Sequence, residues 1–196
     1  FDIDGGLAGP IRIAFHASGY DFEDVRISFP EYMEQRQSMR IHSVPTIEID
    51  GVEVTQSNAM CRYVGKLDGL YPEDALQALY CDEALCAVES VLHHMVHTFG
   101  HEGDEIKAER EKLVYGWVAT FLKGLNDMLE RGGDYFAANR VTVADLNVAV
   151  LTGWIMSGEL DHGTSDVVQK NAPLLTEHAE RVSKDPLVFA YNASRA

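Results

Sequence analysis

The spacing of apolar residues changes near residue 70, where short mixed segments give way to long helical patterns. In residues 10–17, Ile11, Ala14 and Phe15 fall on one helical face. Pro10 suits the first turn of such a helix, and Gly19 suits its C-terminal cap. The pattern therefore predicts a first helix close to the start of the chain, with one strand expected before it.

The next stretch predicts strands around a second helix. Val25 and Ile27 alternate with polar neighbours, as in a half-buried strand, and a polar helix is expected from Pro30 towards Met39. Residues 46–49 and 52–54 flank Asp50-Gly51, a strong signal for a hairpin of two antiparallel strands. A helix capped by Ser57 should follow and run to about Lys66. These elements predict a mixed sheet with helices.

Beyond Pro72 the pattern predicts only helices. A four-residue step predicts the buried stripe of one long helix that ends near Gly132-Gly133, formed by Leu113, Trp117, Phe121, Leu125 and Leu129. The charged residues 105–112 are interpreted as a solvated helical face. Thr142 and Asp145 form an N-cap pair ahead of the apolar run 146–155, which is expected to be a central helix.

Composition narrows the possible partners and the compartment. The chain of 196 residues has 31 acidic and 16 basic residues, a formal net charge of -15. Such a field should repel nucleic acid and anionic lipid. No apolar run approaches the roughly 20 residues that a membrane helix needs. Three cysteines, an odd number within apolar helical patterns, predict free thiols in a reducing compartment, with Cys81 and Cys86 as buried thiols. We therefore expect a cytoplasmic protein.

Two short motifs suggest a binding site. Val44-Pro45 precedes a strand, so its peptide bond is either a trans bond at a strand start or a cis bond that turns the backbone of Val44 outward to pair with an extended peptide. Gln56-Ser57 opens a helix, where free N–H groups and the helix dipole attract a carboxylate. Ser57 could equally be a plain N-cap, and the two roles are compatible.

These motifs carry a family resemblance. VPTIEIDG followed by VEVTQSNAMCRYVGKLDGLYP resembles the glutathione-binding signature of cytosolic glutathione transferases, and GPIRIAF with FEDVRI is similar to the start of the same domain. The tyrosine-type classes are most similar, sigma above all. The resemblance implies a thioredoxin-like α/β domain over residues 1–67 that binds glutathione. It also implies an all-α domain over residues 73–196 that forms the electrophile pocket, and a homodimer.

The resemblance assigns residues to glutathione. Val44, beside a cis Pro45, would pair with the cysteinyl backbone, and Gln56 and Ser57 would hold the γ-glutamyl carboxylate. Tyr32 and Arg36 stand where sigma-like enzymes place a tryptophan and a lysine that reach the glycyl carboxylate. Both differ in type from the family pattern, and Ser43 replaces another family lysine, so Arg40 is a further candidate. Arg36 and Arg40 could also be ordinary surface residues.

The resemblance implies a reaction in which the thiolate of glutathione is the nucleophile. The free thiol of glutathione has a pKa of about 8.5. In the tyrosine classes a tyrosine hydroxyl stabilises the thiolate, and the alignment places that tyrosine immediately before Phe1. Arg12 matches a family arginine near this hydroxyl, although pairing with Asp2 or Asp4 would be a structural alternative. The loop 4–9 is one residue longer than in the family and lacks its basic residue.

The resemblance also implies where the second substrate binds. Candidates for the electrophile pocket are Leu7, Leu92, Met95 and His97.

His93, His97 and His101 share a helical face and could bind zinc or nickel, but no fourth ligand is evident, so we expect no metal. The predicted function is conjugation of hydrophobic electrophiles to glutathione, or their isomerisation or reduction as in prostaglandin isomerases and peroxidases. The alternative is a glutathione transferase-like binding or scaffold protein without turnover.

Overall fold

A computed structural model describes residues 5–99, 103–159 and 165–195 of the chain. The strands are β1 (Ile47–Ile49) and β2 (Val52–Val54). The helices are α1 (Gly9–Ser18), α2 (Phe29–Gln35), α3 (Ser57–Leu67), α4 (Ala75–Val96), α5 (Asp104–Leu113), α6 (Ala119–Gly132), α7 (Val143–Ser157), α8 (Val167–Asn171), α9 (Pro173–Ser183) and α10 (Pro186–Ala193). No helix within the described ranges combines the length and the hydropathy of a membrane span.

The first helix forms as the sequence predicts. Pro10 lies in the first turn of α1, and Gly19 ends the helix in the left-handed conformation, with φ of 68°. The buried face of α1 carries Ile11, Ile13 and Ala14 and packs against α3 and α7. The predicted α2 is also confirmed, with a short 3-10 turn after it.

The strand predicted at Val25 and Ile27 is wrong. Residues 20–28 form neither a helix nor a strand, and Val25 is 68% exposed. A strand forms only where its backbone pairs with a neighbouring strand, so alternation along the sequence does not by itself produce one. The strand expected before α1 would fall in residues 1–4, which lie outside the described residues. Among the described residues the sheet therefore has two strands.

The hairpin is confirmed with its predicted turn. Ile47 pairs with Val54, and Ile49 pairs with Val52, in antiparallel register. Asp50 and Gly51 both have positive φ, at 52° and 78°, which is the geometry of a type I′ turn. The two residues that close the turn are thus the ones that the sequence marks.

The long helix predicted with its buried stripe from Leu113 to Leu129 is interrupted. Val114–Val118 forms a π-helical turn between α5 and α6, and Trp117 is 57% exposed rather than buried. Successive residues of an α-helix are about 100° apart around the helix axis. Residues four positions apart are therefore offset by about 40°, and a row of residues at four-residue steps moves gradually off one face of the helix. The π turn shifts the register further. The buried face instead carries Val114, Val118 and Leu122 before Leu125 and Leu129.

The charged segment of α5 is mostly exposed, as predicted, with one exception. Arg110 is only 6% exposed. Its guanidinium donates to the hydroxyl of Thr98 at 3.2 Å and to the carbonyl of Thr98 at 2.9 Å. The turn after α4 is thereby tied to α5, so this residue is structural rather than solvated.

The central helix α7 joins the two parts of the chain. It packs against α1, α4 and α9. Its first N–H, that of Val143, donates to the carbonyl of Leu70 at 2.9 Å. A Cβ added at Gly65 of α3 would lie 2.8 Å from Cγ1 of Val143. α3 ends at Leu67, and α4 begins at Ala75 with Asp74 as its N-cap, shortly after Pro72. The domain bounds 1–67 and 73–196 stay a prediction.

Candidate functional site

The open end of the β-hairpin brings together the two motifs singled out in the sequence. Because Ile47 pairs with Val54, Pro45 and Gln56 each lie two residues beyond the paired strands, at the same end. The bond between Val44 and Pro45 is cis, which confirms the less common of the two predicted alternatives. Both residues are half-buried.

The start of α3 differs in one respect from the prediction. Gln56 is the N-cap, with φ of 75°, and Ser57 is the first helical residue with only 6% exposure. Ser57 is therefore not the cap, because the positive φ of Gln56 turns the chain one residue earlier. The carbonyl of Gln56 accepts from the N–H groups of Ala59 at 3.0 Å and Met60 at 3.1 Å. The N–H groups of Ser57 and Asn58 precede these bonds, so the helix supplies no acceptor for them.

Asn58 and Glu89 fix the start of α3 against α4, and neither residue stands out in the sequence. The amide Nδ2 of Asn58 donates to Oε2 of Glu89 at 2.6 Å and lies 3.5 Å from the carbonyl oxygen of Leu85. Asn58 is 8% exposed. No local pattern joins residues that are 31 positions apart, so only the packing of α3 on α4 shows this pair.

Residues of the α2 region approach the segment ahead of Pro45. The Tyr32 hydroxyl donates to the carbonyl of His42 at 2.8 Å, and Cζ of Arg36 lies 6.0 Å from the centroid of the Tyr32 ring. Arg40 donates from Nη1 to the carbonyl of Glu53 in β2 at 3.1 Å. Arg36 and Arg40 are both exposed. Tyr32 thus contacts the segment ahead of Pro45, Arg36 contacts Tyr32, and Arg40 contacts β2.

Arg12 lies in a cluster that the sequence did not predict. It is 7% exposed, and its Nε donates to Oδ1 of Asp24 at 2.8 Å. Arg26 donates from Nε to Oδ2 of the same carboxylate at 2.9 Å. Partial burial alone would raise the pKa of Asp24, but the hydrogen bonds from Arg12 and Arg26 outweigh it and lower the pKa below 3.8. The proposed alternative partners, Asp2 and Asp4, lie outside the described residues.

A cleft of about 840 Å³ opens beside the first turn of the chain. Leu7 and Leu92, two of the predicted pocket residues, line it. Met95 is 1% exposed in the core, and the exposed His97 is not among the described lining residues. Six further apolar lining residues come from α4, the turn after α4, and α7: Val88, Phe99, Ala149, Val150, Leu151 and Trp154. The polar lining residues are Arg26, Asn147, Ser157, Glu159 and Arg195. Such a cleft suits a hydrophobic molecule.

His93 and His97 are exposed, with ring centroids 5.2 Å apart, and His101 lies outside the described residues. No group of three potential metal ligands occurs in the part of the chain that the structure describes.

The three cysteines are free thiols, as predicted. Cys86 is exposed, which corrects its predicted burial, because it points away from the core face of α4 that holds Cys81.

Two family profiles match this chain. The profile described as the glutathione S-transferase N-terminal domain matches residues 5–66. The profile described as the glutathione S-transferase C-terminal domain matches residues 89–195. The second match alone covers more than half of the chain, and the first spans the hairpin and the start of α3.

Individual proteins and solved structures agree with these profiles. The chain is 30% identical to glutathione S-transferase 3 of Caenorhabditis elegans, over 97% of this chain and 92% of that protein. It is 28% identical to glutathione S-transferase A1 of Bos taurus, over 91% and 79% of the two chains. A prostaglandin synthase D structure from Nilaparvata lugens superposes with a TM-score of 0.85 at 25% identity, over 100% of this chain and 96% of that one. A structure described as monomeric Na-GST-3 of Necator americanus shares the fold, with a TM-score of 0.80 at 23% identity, over 100% and 95%.

Proposed function

The chain belongs to the glutathione S-transferase family, with glutathione as its co-substrate, and we propose that it transfers the glutathione thiolate to hydrophobic electrophiles bound in the cleft lined by Leu7 and Leu92. The observation that carries this proposal is the hairpin register, which puts Val44-Pro45 and Gln56-Ser57 at one end of the same sheet. Isomerisation or peroxide reduction in the same cleft would use the same thiolate.

Glutathione would lie across the open end of the hairpin. The backbone of Val44 would pair with the cysteinyl unit, and Gln56 with the N–H groups that open α3 would receive the γ-glutamyl carboxylate. Because Ser57 is buried, we expect its N–H to matter as much as its hydroxyl. Tyr32, Arg36 and Arg40 would face the glycyl carboxylate, which is supported by the contact of Tyr32 with His42 and by the contact of Arg36 with the Tyr32 ring.

The chemical step requires preferential stabilisation of the thiolate. Lowering a thiol pKa by about two units needs roughly 2.7 kcal/mol, which a hydroxyl hydrogen bond and nearby positive charge can supply. Arg12 is proposed to support such a site indirectly, since its described contact is with Asp24. The thiolate then forms a C–S bond with the electrophilic carbon, and the displaced electron pair leaves with a leaving group or takes a proton from water.

Retention on immobilised glutathione tests the binding site. We expect the unmodified protein to be retained, Gln56→Ala to lose most of its retention and Ser57→Ala to lose less. Gln169→Ala, an exposed glutamine on α8, is the matched control and should bind as the unmodified protein does. Undiminished retention of both site variants would contradict the proposed site.

Thiolate absorbance in the ultraviolet, measured on adding glutathione, distinguishes an enzyme from a scaffold. An increase at neutral pH together with product formation supports catalysis. Retention on the resin without thiolate formation would favour the non-catalytic binding protein.

We also propose an oligomeric state, a cellular location and a class for this protein. We propose a homodimer formed through the first half of α4, where Leu76 and Leu79 are three residues apart and are 52% and 61% exposed. The free thiols Cys61, Cys81 and Cys86 support a reducing, cytoplasmic location. Assignment to the sigma class remains a proposal, supported by the likeness to the prostaglandin synthase of Nilaparvata lugens.

A further inference from the structure

One face of α7 forms a continuous wall of the cleft. Seven residues of this helix line the cleft. Five of them follow helical spacing, at Asn147, Val150, Leu151, Trp154 and Ser157, and the other two are Ala149 and Gly153. Trp154 is half-buried and is the largest side chain of this wall. The wall therefore offers a ligand mainly apolar surface and one indole.

Gly153 is an exception in this wall that folding does not explain. It lies inside α7, its φ is not positive, and a Cβ built on it would meet nothing within 4 Å. A glycine within a helix makes the helix less stable than an alanine would, because glycine loses more backbone freedom on folding. Gly153 lines the cleft beside Trp154. Among the described residues, neither backbone conformation nor packing requires a glycine here, which leaves open space in the cleft as the feature that it provides.

Phe99 closes the same part of the cleft from the other side. Its ring centroid lies 6.1 Å from that of Trp154, with the ring planes at 81°. Phe99 lies in the turn after α4, where its N–H donates to the carbonyl of Val96 at 3.1 Å, and it is 45% exposed. Aromatic rings at edge-to-face distance leave a π face available to a third ring.

We propose that Phe99, Gly153 and Trp154 form a slot that selects flat aromatic electrophiles over linear aliphatic ones. This inference rests on the proposed function and specifies its substrate class. The ring of the electrophile stacks on the aromatic side chains, and the missing side chain at Gly153 gives it room to lie flat. A linear chain needs neither the width nor the π face.

The test adds one methyl group to the wall. Gly153→Ala is compared with Gly124→Ala, a glycine of α6 at which an added Cβ would likewise meet nothing within 4 Å and which does not line the described cleft. Both variants should unfold at a higher temperature than the unmodified protein, because each removes a helical glycine. A loss of activity in Gly153→Ala then cannot be attributed to a damaged fold.

Activity is measured with two probes in the full chain. With 1-chloro-2,4-dinitrobenzene, glutathione sulfur bonds to the ring carbon and chloride leaves. With trans-2-nonenal, sulfur bonds to the β-carbon and the resulting enolate takes a proton from water. For Gly153→Ala we expect kcat/KM to fall about tenfold with the aryl probe and less than about threefold with the enal. Trp154→Leu should shift the ratio in the same direction, and Trp117→Leu, outside the cleft, should not.

The possible results distinguish a failure of the proposed slot from a failure of the proposed function. An unchanged ratio of the two kcat/KM values in Gly153→Ala, with resin binding and turnover intact, would overturn the slot and leave the proposed function standing. An equal change in Gly124→Ala would also overturn it. An unmodified protein that neither binds the glutathione resin nor turns over either probe would overturn the proposed function, and the slot with it.

Discussion

The imidazole Nε2 of His178 lies 2.9 Å from Oδ1 of Asp145, and both side chains are completely buried. The same carboxylate accepts the N–H of Phe136 at 3.1 Å, and its other oxygen accepts the N–H and the hydroxyl of Thr142 at 2.8 and 2.7 Å. Asp145 thus connects the start of α7, the segment before it and α9. The N-cap pair predicted from the sequence is one part of this larger network.

Asp145→Ala should destabilise the protein by roughly 3–5 kcal/mol, because several buried donors lose their acceptor together. Urea unfolding followed by circular dichroism measures the change. Asp166→Ala removes an exposed carboxylate that pairs with Lys170 one turn later, and should change the free energy of unfolding by less than about 1 kcal/mol. Similar values for the two variants would contradict the network.

Asp24→Asn should lower stability at neutral pH and have little effect in acid. The pKa of Asp24 is lowered in the folded state, so the stabilisation is present above the unfolded pKa of about 3.8 and disappears as the pH falls through the folded value. Urea unfolding at pH 7 and at about pH 2 measures both cases. An equal loss at the two pH values would show that the ionised carboxylate is not the cause.

Gly65→Ala should destabilise the protein by about 1–3 kcal/mol through overpacking. The new methyl group would meet Val143 at 2.8 Å and Tyr71 at 3.2 Å, and the latter contact is with Cβ, close to the backbone. Thermal unfolding measures the effect, and Gly124→Ala, with open space around it, should have the opposite sign.

Only Cys86 should react quickly with 5,5′-dithiobis(2-nitrobenzoate) at neutral pH in the folded protein. Burial raises the pKa of Cys61 to about 11 and that of Cys81 to about 12, so both remain protonated as well as shielded. Cys86→Ser should therefore abolish the rapid reaction, and denaturant should restore labelling of the other two thiols. Rapid native labelling that persists in Cys86→Ser would contradict the burial of Cys61 and Cys81.

Leu79→Glu should convert the proposed homodimer to a monomer, since a charge cannot be buried without a partner. Sedimentation equilibrium measures the mass. Phe189→Glu, on the exposed face of α10, is the control and should remain dimeric. A monomeric unmodified protein would rule out the proposed assembly.

Local signals in the sequence predicted the elements that local chemistry determines. Asp50-Gly51 marked the hairpin turn, Gly19 the end of α1, and Thr142 with Asp145 the start of α7. Each depends on residues at most three positions apart. The motif at Val44-Pro45 was also visible, although its cis bond was only one of two alternatives.

Features that depend on distant residues were missed or misplaced. Val25 has the alternation of a strand, but strand formation depends on a neighbour and not on its own pattern. Trp117 fits a four-residue step, yet the π turn rotates it into solvent. Asn58 with Glu89 and Arg12 with Asp24 are contacts between elements, and residue spacing alone does not predict them.

The close approach of Gly65 to Val143 bears on how the two substrates meet. With no gap between α3 and α7, and with Val143 bonded to Leu70 across the same contact, this region cannot act as a hinge. We therefore expect no clamshell closure around the reactants. Access of the electrophile to the cleft would depend on side-chain rotation at the rim of the cleft. The position of the glutathione sulfur relative to the electrophile would be set by the fold and would not change on binding.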